Sequence, residues 1–278
     1  MLERIKILTL KALMHDEKLM YGLVLKGGNA LQIAYDITDR ASMDIDFSIK
    51  DDFSELDFQR INGILESLLN EQFQTEKLVV FDIRFIERPK TNQEKIWKGY
   101  NIEFKVTHQD NFYKDDLEKT RREAIKVLDQ STKFSVDISS FEYIAGAKKH
   151  ELEGTVLLVY TPEMIVIEKL RALCQSIPEY KEIIPTARIK GRARDFYDIW
   201  NICEQFSIDI TTDENTVLVN EIFKAKKVPL SFLKLLPEYK DLQRENWASV
   251  EDTLTSDNKG FDFYFAYTMN LISMIKNL

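Results

Sequence analysis

Two aspartates, Asp44 and Asp46, stand one residue apart in the stretch SMDIDFSIK, residues 42–50. Met43, Ile45, Phe47 and Ile49 alternate with Asp44, Asp46, Ser48 and Lys50, the period-two pattern of a strand with one apolar and one polar face. On such a strand the two carboxylates face one way, about 7 Å apart. Like charges so placed repel unless cations offset them. Carboxylate oxygens suit Mg²⁺, and two-metal phosphoryl-transfer sites hold their ions about 3.5–4 Å apart. The competing reading is an exposed acidic strand face with no ligand.

The residues before this pair favour the chemical reading. YGLVLKGG reads as a short apolar strand ending at Gly27 and Gly28, and NALQIAYDI reads as a helix that starts near Asn29. Glycines at a helix start expose backbone N–H groups, and helix N-termini favour phosphate. Gly-Gly alone is a common tight turn. The order strand, Gly-Gly, helix, strand with Asp-x-Asp is far more specific. A two-metal site calls for a third carboxylate on a neighbouring strand. Asp137 in FSVDIS is preferred, because Phe134, Val136 and Ile138 would face the core and leave it on the polar face. Asp82 in FDIRF sits in a similar pattern and is the rival.

These residues need elements to hold them. Helical spacing runs through the first twenty residues (Leu2, Ile5, Leu8, Leu10, Leu13), and DDFSELDFQRINGILESLLNEQF is a helix with Ser54 and Asp57 as its capping signal. LVVFDIRFIER and GYNIEFKVTHQ alternate and read as a strand pair, DDLEKTRREAIKVLD reads as a helix, and KFSVDISSF as another strand. After about residue 160 the texture becomes helical. TPEMIVIEKLRALCQS opens on a Thr161 cap with Pro162 at the first helical position. RDFYDIWNICEQF, DENTVLVNEIFKAKK, PLSFLKLL and the C-terminal stretch follow as helices. A mixed α/β domain over residues 1–155 and a helical bundle over 156–278 are expected.

The helical half carries its own polar residues. Lys169 lies among Ile165, Ile167, Leu170 and Leu173, where it either snorkels or reaches a phosphate. Between Lys181 and Arg194 there are five basic residues and one acid, a local reversal of sign that is either a solvated loop or a phosphate-backbone contact. Asp195 and Asp198, three apart, share a helix face.

Composition narrows the classes. The 278 residues are 44% hydrophobic and 30% charged, enough for a sizeable core, and the net charge of −8 argues against bulk-charge coating of nucleic acid. Cys174 and Cys203 have no metal spacing and read as two buried thiols of a cytoplasmic protein. No signal peptide is recognised at the N-terminus, and FDFYFAYTMNLISMIKNL is broken by Asp262, Asn270 and Lys276, so no membrane span is expected. The three histidines make no ligand set, and no Walker loop or Ser-His-Asp arrangement emerges.

Taken together, KGGNALQIAYDITDRASMDIDFSI, FSVDIS, TPEMIVIEKLRAL and RARDFYDIW resemble the AbiEii/AbiGii toxin family of nucleotidyltransferases, within the DNA polymerase β-like superfamily. The resemblance covers residues from about 20 to 205. It implies a nucleotidyltransferase-like mixed sheet domain followed by an all-helical bundle, with the active site in the cleft between them. Carried over to this sequence, it assigns Gly27, Gly28 and Ser42 to the nucleotide, Asp44 and Asp46 to two Mg²⁺ ions, and Lys169 to the E-K-L segment. Arg194, Asp195 and Asp198 match the Arg-Asp-x-x-Asp segment. Asp137 falls where a third metal carboxylate is expected. Many relatives carry a small hydroxylated residue where this chain has Asn29. The implied reaction is nucleotidyl transfer from an NTP, in a toxin–antitoxin or phage-defence setting. An RNA acceptor such as a tRNA 3′ end, a protein hydroxyl acceptor, and a catalytically silent binding module remain distinct expectations.

Overall fold

The computed structural model describes residues 1–37, 44–89, 98–127, 131–254 and 258–276. The chain divides into two compact units, Met1–Asp36 with Ala41–Val159, and Ile37–Arg40 with Tyr160–Leu278. No helix among the described residues is long and apolar enough to cross a membrane.

The first unit is built on a seven-stranded mixed sheet. Its strands are β1 (Val24–Lys26), β2 (Ile45–Ser48), β3 (Leu78–Arg88), β4 (Gly99–His108), β5 (Phe134–Ser139), β6 (Lys148–Leu152) and β7 (Thr155–Val159). Their order across the sheet is β3-β4-β5-β2-β1-β7-β6, so the acidic strand β2 is central. The expected alternation holds there: Ile45, Phe47 and Ile49 are buried, as are Phe134, Val136 and Ile138 of β5. β3 and β4 form the antiparallel pair that their sequences suggest. Helix α1 (Leu2–Leu13) packs on α4 (Glu55–Gln74), and α4 packs on β3. Ile61, Leu65, Leu69 and Phe73, four apart, supply the buried stripe of α4. Its start is fixed by Ser54, whose Oγ accepts from the Asp57 N–H at 3.1 Å.

Several boundaries differ from the sequence expectation. Tyr21 and Gly22 end a separate short helix, α2 (Glu17–Gly22), which the Asp16 side chain caps, so β1 starts only at Val24. Helix α3 (Gly27–Tyr35) begins at the first glycine and not at Asn29. Among the described residues, the helix expected over 115–129 is confined to α5 (Leu117–Arg122). The chain leaves it because Ile125 donates its N–H to the Val106 carbonyl of β4 at 2.8 Å. The β6–β7 hairpin is new. Its tight turn sets Glu153 and Gly154 both at positive φ (46° and 78°), the conformation that two-residue hairpin turns require.

The second unit is helical. Its parts are α6 (Pro162–Cys174), α7 (Ala193–Phe206), α8 (Asp213–Ala225), a 3₁₀ segment Leu230–Tyr239, α9 (Lys240–Arg244), α10 (Trp247–Glu251) and α11 (Phe261–Ser273). Thr161 caps α6 through the Met164 N–H at 3.3 Å, with Pro162 at the first position as read. α6 packs against α7 and α8, and α11 packs against α7. Cys174 and Cys203 are free buried thiols, and burial pushes the Cys203 thiol up to about 12.

Candidate active site

A row of polar residues crosses four strands of the first unit. Asn101 of β4 is the register partner of Asp137 of β5, Asp137 is the partner of Asp46 of β2, and Asp46 is the partner of Lys26 of β1. Register partners project to the same face, with strands about 4.8 Å apart. The two carboxylates therefore stand side by side with a cation next in the row. The face is closed at its other end, where Ser48 and its partner Val24 are fully buried. This corrects the expectation that Ser48 shares an open polar face with the aspartates.

The turn after β1 shapes the row. Gly27 has φ +66°, and a Cβ built on it would lie 3.0 Å from Asp46 Oδ2. Glycine is required for both reasons: it tolerates the left-handed conformation and leaves room for the carboxylate. Gly28 and Asn29 follow in the first turn of α3. The Asn29 Nδ2 donates to the backbone carbonyl of Asp44. Asp44 is exposed and lies immediately before β2 and not within it. Ser42 lies outside the described residues.

Asp137 and its rival Asp82 have different surroundings. Asp137 Oδ1 accepts from Asn101 Nδ2 at 2.7 Å. Asp82 sits at the irregularity of edge strand β3, with β4 and β5 between it and β2. Both its oxygens accept from Arg121 at 2.8 Å, and Oδ2 also from Lys105 at 3.1 Å. The Arg121 guanidinium, helped by Lys105 and opposed by burial, holds the Asp82 carboxyl down at about 2. Asp82 is thus consumed by a local ion-pair cluster, whereas Asp137 adjoins Asp46.

The donor chemistry fits a hard divalent cation. Among the described residues, no group of three or more His, Cys, Asp or Glu is gathered tightly enough to hold a metal by itself. Carboxylates contributed one at a time suit Mg²⁺, which keeps several waters and shares its shell with substrate phosphates. Asp44, Asp46 and Asp137 are the residues that would hold it.

The second unit has a compact ionic cluster. Lys169 Nζ donates to Asp195 Oδ1 at 2.9 Å and to Asp198 Oδ2 at 2.7 Å. Arg192 Nε donates to Asp195 Oδ2, and Arg194 Nε lies 3.5 Å from Asp198 Oδ1. Burial alone would lower the Lys169 pKa, but Asp195 and Asp198 outweigh it and hold the ammonium above its ordinary value. Burial likewise opposes ionisation of Asp195, but Arg192 and Lys169 prevail and bring its carboxyl down to about 2. Two of the basic residues in the 181–194 run are therefore spent on carboxylates. Lys181, Arg188 and Lys190 remain exposed.

Sequence reasoning missed Lys26, Asn101 and Arg192 as neighbours of the candidate residues. An asparagine among the apolar residues of a strand and a lysine directly before Gly-Gly were the available signals. What joins Lys26 and Asn101 to the aspartates is cross-strand register, which spans up to 111 positions of chain between Lys26 and Asp137, whereas Arg192 meets Asp195 three residues along the chain.

The fold is nucleotidyltransferase-like. A candidate nucleotidyltransferase from H. pylori superposes with TM-score 0.50 at 18% identity, covering 98% of this chain and 92% of that one. An antigenic nucleotidyltransferase-like protein from Paracoccidioides brasiliensis gives TM-score 0.36 at 14% identity, covering 82% and 92%. No match is found among curated proteins. Residues 9–267 match the family model described as nucleotidyl transferase AbiEii toxin, type IV TA system, and the chain belongs to that family.

Proposed function

We propose that the chain is a Mg²⁺-dependent toxin that transfers NMP from an NTP to an RNA hydroxyl, with a tRNA 3′ end as the candidate acceptor. The observation that carries the proposal is the register pairing of Asp46 with Asp137, seated against Gly27. The acceptor oxygen bonds to the α-phosphorus, the α–β bridging P–O bond breaks, the hydroxyl proton passes to solvent water and pyrophosphate leaves. When bound, two Mg²⁺ ions would polarise the acceptor oxygen and neutralise the leaving pyrophosphate. Asp44, Asp46 and Asp137 would hold them, while Gly27, Gly28 and, by the family resemblance, Ser42 would cradle the triphosphate. Lys169 offsets negative charge on the nucleotide. Asp195, whose Oδ1 accepts from Lys169 Nζ at 2.9 Å, orients that lysine. Catalysis is positioning and electrostatics, as phosphoryl transfer requires.

Lys181, Arg188 and Lys190 are the RNA-backbone contacts in this reading. A cognate antitoxin is the partner that a two-gene toxin system requires, and phage defence is the setting. A protein hydroxyl acceptor is the second reading, favoured by the net charge of −8. The test is incubation with Mg²⁺, each α-³²P-NTP in turn, cellular RNA and protein extract, with Asp44→Ala alongside. Label in a discrete RNA band, lost in the variant, supports the proposal. Label in protein moves the acceptor to a side chain. No incorporation by folded, metal-replete protein favours a silent binding module.

A further inference from the structure

The geometry points to two buried asparagines, Asn29 and Asn101, as positioning residues that fix the acidic site from two directions. We infer this on the reading of Asp44, Asp46 and Asp137 as the carboxylates of nucleotidyl transfer, and it adds to that reading two residues outside the Asp-x-Asp motif.

Asn29 is fully buried in the first turn of α3. Its Nδ2 donates to the Asp44 carbonyl, fifteen residues away. A backbone carbonyl can only accept, so this partner fixes which end of the amide faces it. The other end, Oδ1, is buried with no hydrogen-bond partner. A half-satisfied buried amide is a poor choice for packing alone, since an apolar side chain of similar size leaves no orphaned oxygen. What the amide adds is the tie to Asp44. That tie acts where the sheet does not: the register of β2 with its neighbours starts at Ile45, so Asp44 lies outside the ladder. The same turn places Gly27 where a Cβ would lie 3.0 Å from Asp46 Oδ2, so that only glycine leaves that carboxylate its place. One three-residue turn, Gly27 to Asn29, therefore sets the positions of both aspartates of the motif.

Asn101 serves the third carboxylate. It is 1% exposed, the third residue of β4. Its Nδ2 faces Asp137 Oδ1 at 2.7 Å, Ser135 Oγ at 2.7 Å and the Val136 carbonyl at 3.3 Å, while Arg88 Nη2 approaches its Oδ1 at 3.4 Å. Two amide hydrogens meet three acceptors, and the two shorter contacts take them. Asp137 is thereby held by one chosen oxygen, which sets its rotamer and leaves Oδ2 to engage a ligand. An outer partner of this kind orients a ligating carboxylate, and its loss typically costs about 10–100-fold in metal affinity or activity.

The test uses the full chain with Asn29→Ala, Asn29→Ser and Asn101→Leu. Three quantities are measured: the thermal midpoint in EDTA, the Mn²⁺ dissociation constant by electron paramagnetic resonance without nucleotide, and kcat and KM for the NTP in the labelling assay. The inference expects Mn²⁺ binding weakened about 10-fold or more in Asn29→Ala and Asn101→Leu, kcat lowered to match, and KM for the NTP near wild type. Asn29→Ser keeps a donor and recovers part of the loss. Folded variants with wild-type Mn²⁺ affinity and wild-type kcat overturn it and leave both asparagines as packing residues. If Asn29→Ala or Asn101→Leu fails to fold, the other of the two decides on the same readouts, and Asn29→Ser with fully wild-type Mn²⁺ affinity and kcat counts against Asn29 only if Asn29→Ala shows the same. Wild-type protein that neither binds Mn²⁺ nor incorporates label removes the transferase reading itself, and the inference falls with it. Wild-type activity beside unaffected variants removes the inference alone.

Discussion

Replacing Gly27 by alanine perturbs the acidic row at one atom. The new Cβ would meet a backbone φ of +66° and Asp46 Oδ2 at 3.0 Å. The left-handed conformation costs a Cβ-bearing residue about 1–2 kcal/mol. The contact adds little to that, because the carboxylate is the movable end of a side chain. Its consequence is positional: Asp46 must rotate away from the place that the Asp137 register gives it. For a domain of this size each kcal/mol shifts the midpoint by roughly 2–4 °C, so Gly27→Ala should lower Tm by about 2–8 °C. A displaced catalytic group costs far more in rate, about 10–100-fold for a shift near 1 Å. The assay is thermal unfolding in EDTA beside Mn²⁺ titration and α-label incorporation at saturating NTP. Gly63→Ala is the control, because that glycine lies on the exposed face of α4 with nothing near its Cβ. It should stabilise by about 0.5–1 kcal/mol and leave incorporation unchanged. Gly27→Ala with wild-type Tm and wild-type Mn²⁺ affinity would refute the reasoning.

Lys169→Met should destabilise the protein by about 3 kcal/mol in urea unfolding, the lower end for breaking a buried ion pair, since Arg192 and Arg194 still face the two carboxylates. It should also abolish incorporation, which Lys169→Arg should partly restore. Asp82→Asn should cost about 1 kcal/mol by breaking the Arg121 fork, with Mn²⁺ binding unchanged. Asp82 has a lowered folded pKa, so its contribution is present above its unfolded value. The gap between wild type and Asp82→Asn should be constant above about pH 4 and close as pH falls toward about 2, read from urea midpoints. Asp137→Asn should do the reverse of Asp82→Asn at neutral pH, weakening Mn²⁺ binding with a smaller loss of stability.

Much of this arrangement was legible because period-two alternation reports burial directly. Ile45, Phe47 and Ile49, and Phe134, Val136 and Ile138, are buried as their spacing implies. Thr161 and Pro162 mark the start of α6 because a cap and a first-turn proline are local chemistry. The β6–β7 hairpin escaped notice because edge strand β6, KKHEL, is mostly exposed and has no apolar period to read. Only the Glu153-Gly154 turn announced it. The partners of the aspartates were hidden for another reason. Asn101 and Lys26 acquire their places from cross-strand register, which no window of sequence contains, whereas Arg192 lies only three residues before Asp195, a helical spacing that was there to be read. Arg192 and Arg194 looked like part of a nucleic-acid patch, and the structure gives them to Asp195 and Asp198.

The central claim is nucleotidyl transfer dependent on Asp44 and Asp46, and a paired-label experiment tests it most directly. The accepted NTP is supplied in two forms, labelled at the α- or the γ-phosphate, to wild type and to Asp46→Asn. The account predicts α-label in the acceptor, γ-label recovered in pyrophosphate in equal amount, and neither product from the variant. Label from the γ-position in the acceptor, or transfer that survives Asp46→Asn at the wild-type rate, would contradict it.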